Sequence, residues 1–223
     1  MKKTILLIAM FCFAATSFAQ EKKMLTAADA AYMNRSLYPV GKSVKWLPDT
    51  DKYLFTDNEN PNNLMIQDVN AEKAEVLITL DQVNSYLNQA GLDSIKRLPN
   101  LTWIDATKAY YYSFDQKNNC VNLNLLDIDA NNIKKVTSVP SNAENHTITL
   151  PSLKVAYTIE NNLYFADGDR QVQVTDNPEN VVAGQSVHRN EFAINGGIFW
   201  SPDGNKLAYY NMDESMVTDY PLV

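Results

Sequence analysis

Four stretches of the chain share one alternation of apolar and polar positions. They are "VKWLPDTDKYLFTD" (44–57), "LTWIDATKAYYYSF" (101–114), "ITLPSLKVAYTIE" (148–160) and "IFWSPDGNKLAYYN" (198–211). Each has a large apolar residue, a polar or proline-containing turn, a lysine, and then a run that alternates on a period of two. That period is the mark of a half-buried strand, and the turn residues between the runs suit hairpins. The lysines are Lys52, Lys108, Lys154 and Lys206, spaced by 56, 46 and 52 residues. A second strand-like run follows each unit, at 63–69, 121–128, 162–166 and 216–222. The first three of these lead to a third run, "AEVLI", "IKKVTS" and "VQVTD". Three or four antiparallel strands recurring about every fifty residues predict β-propeller blades. A β-sandwich would also give many short strands, but it gives no reason for the aromatic–turn–Lys–aromatic unit to recur. The predicted fold class is therefore all-β, a partial propeller of about four blades.

Two segments break the pattern. Residues 26–37 begin with Thr26 as a cap and Asp29 three positions later, predicting a short N-terminal helix. Residues 80–92 space Leu80, Val83, Leu87 and Leu92 helically and stop at Gly91, predicting a small helical insertion. No linker rich in Pro, Gly or Ser divides residues 20–223, so they read as one propeller region. About four blades would not close a ring of the usual size, and two sheet faces would lack a neighbour.

Residues 1–19 read as a leader rather than as fold. Lys2 and Lys3 precede an apolar run, and Ser17-Phe18-Ala19 forms a small-x-small cleavage site before Gln20. The expected location is exported: periplasmic, secreted or on the surface of a bacterium. The apolar run is too short for a permanent span, and no later segment is long and apolar enough. After cleavage Cys120 is the single cysteine, so no intramolecular disulfide is expected despite an oxidising compartment. Loss of Lys2 and Lys3 takes the formal charge from -7 to -9, with 17 basic against 26 acidic side chains. Such a surface disfavours nucleic acid and anionic lipid, and it suits cationic ligands such as peptide amino termini.

Candidate chemistry is sparse. "VGKS" (40–43) ends like a phosphate loop, but Ser36 stands where the first glycine belongs and a strand follows. "DIDANN" (127–132) opens like a calcium loop, with Asn132 in place of the required glycine and Ser138 in place of the closing glutamate. His146 and His188 are far apart and have one cysteine to assist them, short of a zinc ligand set. "GQSVH" (184–188) lacks the second glycine of a nucleophile elbow. No cofactor or metal is expected, and no nucleophile, base and oxyanion hole can be assembled. The remaining constellation is "GQSVHRNEFAINGGIFWSPDG" (184–204), where His188, Arg189, Asn190 and Glu191 precede Phe192 and the Gly196-Gly197 pair. It fits either a solvated turn between blades or a short helix projecting a carboxylate into a cavity to meet an ammonium group.

The segment "HRNEFAINGGIFWSPDGNKLAYYNMDESMVTDYPLV" (188–223) resembles the N-terminal propeller region of the dipeptidyl peptidase IV branch of the prolyl oligopeptidase family. Bacterial prolyl tripeptidyl peptidases look most similar, and the blade pattern extends the resemblance back to residue 38. The resemblance implies about the first half of an eight-bladed propeller that precedes an α/β-hydrolase domain carrying the Ser-Asp-His triad. No triad residue can be carried over, so the chain alone is expected to be inactive. It implies peptide substrates with a free amino terminus, and it is compatible with a homodimer. It also implies that Glu191 is one of the carboxylates that grip the substrate amino group. Arg189 and Asn190 stand where strict dipeptidyl members have further glutamates, which favours tripeptidyl-like or altered release. Asp213, Glu214 and Ser215 fall in a family segment read as structural. The competing expectation is a non-enzymatic periplasmic propeller that acts as a scaffold.

Overall fold

The structure is a computed structural model and describes residues 26–32, 43–186 and 193–218. Residues 1–19, expected to be a leader, lie outside the described ones. The chain divides into two units, Met1–Lys42 and Ser43–Val223. In the first, helix α1 (Ala27–Ala31) is started by a reciprocal cap. The Asp29 N–H donates to Thr26 Oγ1 (3.1 Å), and the Thr26 N–H donates to Asp29 Oδ2 (3.1 Å). The cap falls where the sequence places it. The helix is shorter than 26–37, and residues 33–37 lie outside the described ones.

The second unit begins with three four-stranded antiparallel sheets in sequence order. The first holds β1 (Lys45–Trp46), β2 (Lys52–Thr56), β3 (Asn63–Asp68) and β4 (Glu75–Thr79). The second holds β5 (Thr102–Trp103), β6 (Lys108–Asp115), β7 (Cys120–Asp127) and β8 (Asn132–Pro140). The third holds β9 (Glu144–Ile148), β10 (Val155–Ile159), β11 (Asn162–Asp167) and β12 (Arg170–Gln173). A fourth, shorter unit holds β13 (Val181–Ala183), β14 (Ile198–Trp200), β15 (Leu207–Tyr209) and β16 (Asn211–Asp213). Strands predominate throughout, and the fold is all-β in the manner of a partial propeller.

The recurring lysine marks a backbone device. In each unit the residue after the first strand of the hairpin donates its N–H to the lysine carbonyl. The four pairs are Leu47 to Lys52 (2.9 Å), Ile104 to Lys108 (2.8 Å), Thr149 to Lys154 (3.0 Å) and Ser201 to Lys206 (2.9 Å). The lysine side chains, by contrast, do different things. Lys108 lies 3.9 Å from Asp127, and Lys154 Nζ donates to the Gly204 carbonyl (3.3 Å). What repeats is the closed turn, and a lysine stands at its last position in all four units.

Between the first two sheets stands helix α2 (Leu80–Gln89). Thr79 caps it, accepting from the Gln82 N–H while the Gln82 side chain accepts from the Thr79 N–H. Its end is a Schellman motif: Leu92 N–H to Leu87 carbonyl (2.9 Å), and Gly91 N–H to Asn88 carbonyl (3.1 Å). Gly91 sits at φ +70°, the left-handed turn that this motif needs. The helix therefore stops at the glycine, as its sequence indicates.

Three apolar cores lie between successive sheets, each built by two neighbours. The first joins Ile78 and the α2 residues Val83, Tyr86 and Leu87 to Ala109, Tyr111, Leu126 and Ile133. The second joins Leu123 and Val139 to Val155, Tyr157 and Ala166. The third joins Ala156 and Leu163 to Ala183 and Ile198. Strand alternation does the sorting: Val155 and Tyr157 point into the second core and Ala156 into the third.

The fourth unit is only partly described at its end. The run 216–222 is expected to be its return strand, but Met216 lies in a turn and is 94% exposed. Residues 219–222 lie outside the described ones. The run 207–213 is instead paired by segments that precede it, β14 on its first half and β13 on its second. Tyr210 is the junction: its N–H donates to the Gly197 carbonyl (2.9 Å) and its carbonyl accepts from the Gly184 N–H (2.8 Å). Each half is thus paired along one edge by an upstream strand.

Leu126 is fully buried between the first two sheets. Leu126→Ala should lower unfolding free energy by about 3 kcal/mol through lost burial and a residual cavity. Val76→Ala, at a half-exposed position, should cost under about 1 kcal/mol. Urea unfolding of the two variants checks the contrast.

Candidate functional site

The segment 184–204 carries the sequence-predicted site. Strand β13 leads into it and ends at Ala183, and Gly184 then turns the chain at φ +72°. A side chain there would press on Thr158 Cγ2 (3.0 Å) and Ile198 Cγ1 (3.1 Å), so glycine answers both conformation and space. Gln185 Nε2 then donates to the Glu160 carbonyl (3.0 Å), tying the departing chain to the β10–β11 turn. Ser186 Oγ donates to the Ile194 carbonyl (2.7 Å). This last bond joins the two sides of the segment 187–192 at its base.

Glu191, Arg189 and Asn190, with His188, lie outside the described residues. The residues on either side of them are held firmly. Ala193 takes φ +59°, unusual for a residue with a side chain, as the chain re-enters the described structure. Gly197 lies so close to the backbone of Gln185 that a Cβ would overlap its carbonyl group. The two strand ends thus touch through their main chains, and only glycine permits it. The sequence marks the Gly196-Gly197 pair as flexible. The structure gives Gly197 another reason, the close approach of two backbones.

Beyond the pair, "FWSPDGNK" (199–206) forms a self-closed turn. Ser201 Oγ donates to Asp203 Oδ1 (2.5 Å), the Asn205 N–H donates to the same oxygen (3.1 Å), and the Lys206 N–H donates to Ser201 Oγ (2.9 Å). The Ser201 hydroxyl first, then the Asn205 backbone and side chain, hold the Asp203 carboxyl below its ordinary value. Trp200 anchors the hairpin to the third sheet, its Nε1 donating to the Thr147 carbonyl (3.1 Å) and its ring edge-on to Phe165 at 6.3 Å.

The acidic pair at the end of β16 is tied by local bonds, through the Asp213 carboxylate and the Glu214 main chain. Asp213 Oδ1 accepts from the Ser215 N–H (2.9 Å), and Ser215 holds the carboxyl below its ordinary value. The Glu214 N–H donates to the Asn180 carbonyl (2.7 Å), and the Val217 N–H donates to the Glu214 carbonyl (2.9 Å). "MDESMV" therefore ties the end of β16 to the residue before β13. His146 lies near the rings of Tyr112 (6.1 Å) and Tyr157 (6.5 Å), and partial burial lowers its pKa. Among the described residues no three His, Cys, Asp or Glu side chains gather as metal ligands, and no helix is long and apolar enough to cross a membrane.

Gly197→Ala should cost about 3 kcal/mol, since its Cβ meets backbone that has no slack. Gly91→Ala has nothing within 4 Å of its Cβ and carries only the left-handed φ, so about 1 kcal/mol is expected. Thermal unfolding of both compares them, and hydrogen exchange should show the damage of Gly197→Ala concentrated in 181–186 and 197–213.

Comparison with known proteins agrees with this architecture. Residues 100–223, more than half of the chain, match the dipeptidyl peptidase IV (DPP IV) N-terminal region family. A solved protein from Bacteroides ovatus described as a dipeptidyl aminopeptidase IV is 32% identical, with a TM-score of 0.62 over 82% of this chain. Porphyromonas gingivalis dipeptidyl peptidase 4 is 19% identical, with a TM-score of 0.53 over 90% of this chain, a likeness of fold. This chain spans 25% and 29% of the lengths of those two proteins. With its succession of antiparallel blades and the matched segment running through the clasped Gly184–Gly197 region, the chain belongs to the dipeptidyl peptidase IV N-terminal region family.

Proposed function

We propose that this chain is the substrate-gating and amino-terminus-binding propeller portion of an exported serine exopeptidase that releases di- or tripeptides after proline. The observation that carries the reading is the family match over residues 100–223, which includes Glu191. The peptide bond would be cut by an α/β-hydrolase domain carrying the Ser-Asp-His triad, and the propeller would select and orient the substrate. The clasp of Ser186 on Ile194 and the backbone contact at Gly197 support this role, because a grip on a ligand needs a rigid base.

In this reading Glu191 meets the substrate ammonium group. Moving that cation out of water is costly unless a carboxylate receives it. Arg189 and Asn190 occupy positions where strict dipeptidyl members carry further acids, so the amino group is gripped by fewer carboxylates and a third residue has more room. Arg189 would pair with Glu191 or with a third-residue carbonyl.

Two measurements test the proposal. On Gly-Pro and Ala-Ala-Pro chromogenic peptides, the full-length parent should turn over substrate and the 223-residue chain should not. Turnover by this chain alone, or none by the parent, would contradict the peptidase reading. In the parent, Glu191→Gln removes about 1.5–3 kcal/mol of charge-assisted bonding. KM for peptides with free amino termini should therefore rise roughly 10- to 150-fold, while blocked peptides, poor substrates of the wild type, should change little. An unchanged preference for free amino termini would return Glu191 to the role of a surface residue.

A further inference from the structure

A groove of about 1100 Å³ opens between the first and second sheets, well away in sequence from the 184–204 segment. Its walls are apolar and come from both blades and the connection after α2, with Leu54, Phe55 and Leu64 on one side and Leu98, Leu101 and Trp103 on the other. Its charged lining is of one sign. Lys45, Lys96 and Arg97 line it, and no aspartate or glutamate is among the lining residues described. In a chain with 26 acidic and 19 basic side chains, three cations without an acid mark a local reversal of charge. Among the described residues none of the three has a carboxylate partner, and Lys45 Nζ is held by Asn100 Oδ1 (2.7 Å).

The second observation is a hydroxyl. Tyr111 lines the same groove and is 3% exposed, and its Oη is a buried polar atom with no hydrogen-bond partner. A buried hydroxyl left unpaired is unfavourable, and phenylalanine would fill the same space without that cost. Burial pushes the phenol pKa up to about 12, so the group remains a neutral donor at any physiological pH. An orphan donor, an apolar wall and three cations together describe the complement of one chemical class.

We propose that this groove binds an apolar carboxylate: the hydrocarbon or aromatic body lies against Phe55, Leu101 and Trp103, and the anionic head takes the Tyr111 hydroxyl and the cations Lys96 and Arg97. A pocket with apolar walls and a few convergent polar groups is the usual form of a small-molecule site. Charge-assisted bonds to the head would set the preference for an acid over its neutral isostere. The proposal is independent of the peptidase reading and of Glu191.

The chemistry could come from a free organic acid or from the carboxy terminus of a peptide, and matched probes separate them. Calorimetric titration of the full chain with 2-naphthoate and 2-naphthamide, and with N-acetyl-leucyl-phenylalanine and its carboxamide, measures acid against neutral isostere. At least one acid should bind tenfold or more tightly than its amide. Preference within the naphthyl pair alone assigns the free acid, within the peptide pair alone the carboxy terminus, and in both a general apolar-acid site. Tyr111→Phe should weaken the acid about fivefold while leaving the melting temperature unchanged or higher. Lys96→Gln with Arg97→Gln, both exposed positions, should bring acid and amide within twofold of each other. Equal affinities for acid and amide, no binding of any probe, or acid affinity untouched by Tyr111→Phe would overturn the proposal.

Discussion

A twisted antiparallel sheet that is apolar on both faces must find a neighbour on each side. Strand β10 states the constraint most clearly, since Val155, Ala156, Tyr157 and Thr158 are all buried in succession. Consecutive residues of a strand point to opposite faces, so β10 can be buried throughout only when sheets pack on both sides of it. The second sheet supplies one cover through Leu123 and Val139, and the fourth unit supplies the other through Ala183 and Ile198. Each core belongs to two blades, and the stability of any one blade is shared with the next. The helix α2, the Trp200 anchor and the Lys154–Gly204 bond sit at the same seams and reinforce them.

The same constraint explains what the sequence could reveal. Strand alternation and the Lys52, Lys108, Lys154 and Lys206 repeat were readable because every blade solves one local problem, closing a short turn by a lysine carbonyl. The start of α1 at Thr26 and the stop of α2 at Gly91 were readable because caps are local. The Thr79–Gln82 cap of α2 carries the Thr-x-x-Gln signal and was there to be found, masked by the strand pattern of β4 running directly into the helix. The expected return strand at 216–222 falls mostly on residues outside the described ones, and the β13–β16 pairing had no sequence signal, since composition does not reveal which upstream segment joins an edge. That pairing spans about thirty residues and is fixed by tertiary contacts alone.

The site was legible in part. The glycines of 184–204 were conspicuous, yet their reasons are long-range: Gly184 is confined by Thr158 and Ile198, and Gly197 by the Gln185 main chain. Asp213 and Glu214 were read as structural; the Asp213 carboxylate accepts from the Ser215 N–H, and Glu214 bonds Asn180 through its main chain. Glu191, Arg189 and Asn190 rest on family resemblance and lie outside the described residues. The Tyr111 groove had no sequence signal, since an orphan hydroxyl and three cations from positions 45, 96 and 97 come together only through the packing of two blades.

Shared cores make a direct prediction about where damage travels. Tyr157 is 1% exposed and faces only the second core, between the second and third sheets. Hydrogen exchange read by mass spectrometry on Tyr157→Ala should show faster exchange in β10 and β11 of its own sheet. If blades depend on their neighbours, β7 and β8 of the preceding sheet should lose protection as well, although no residue there has changed. Faster exchange confined to residues 144–173, with 120–140 as protected as in the unaltered protein, would contradict the account.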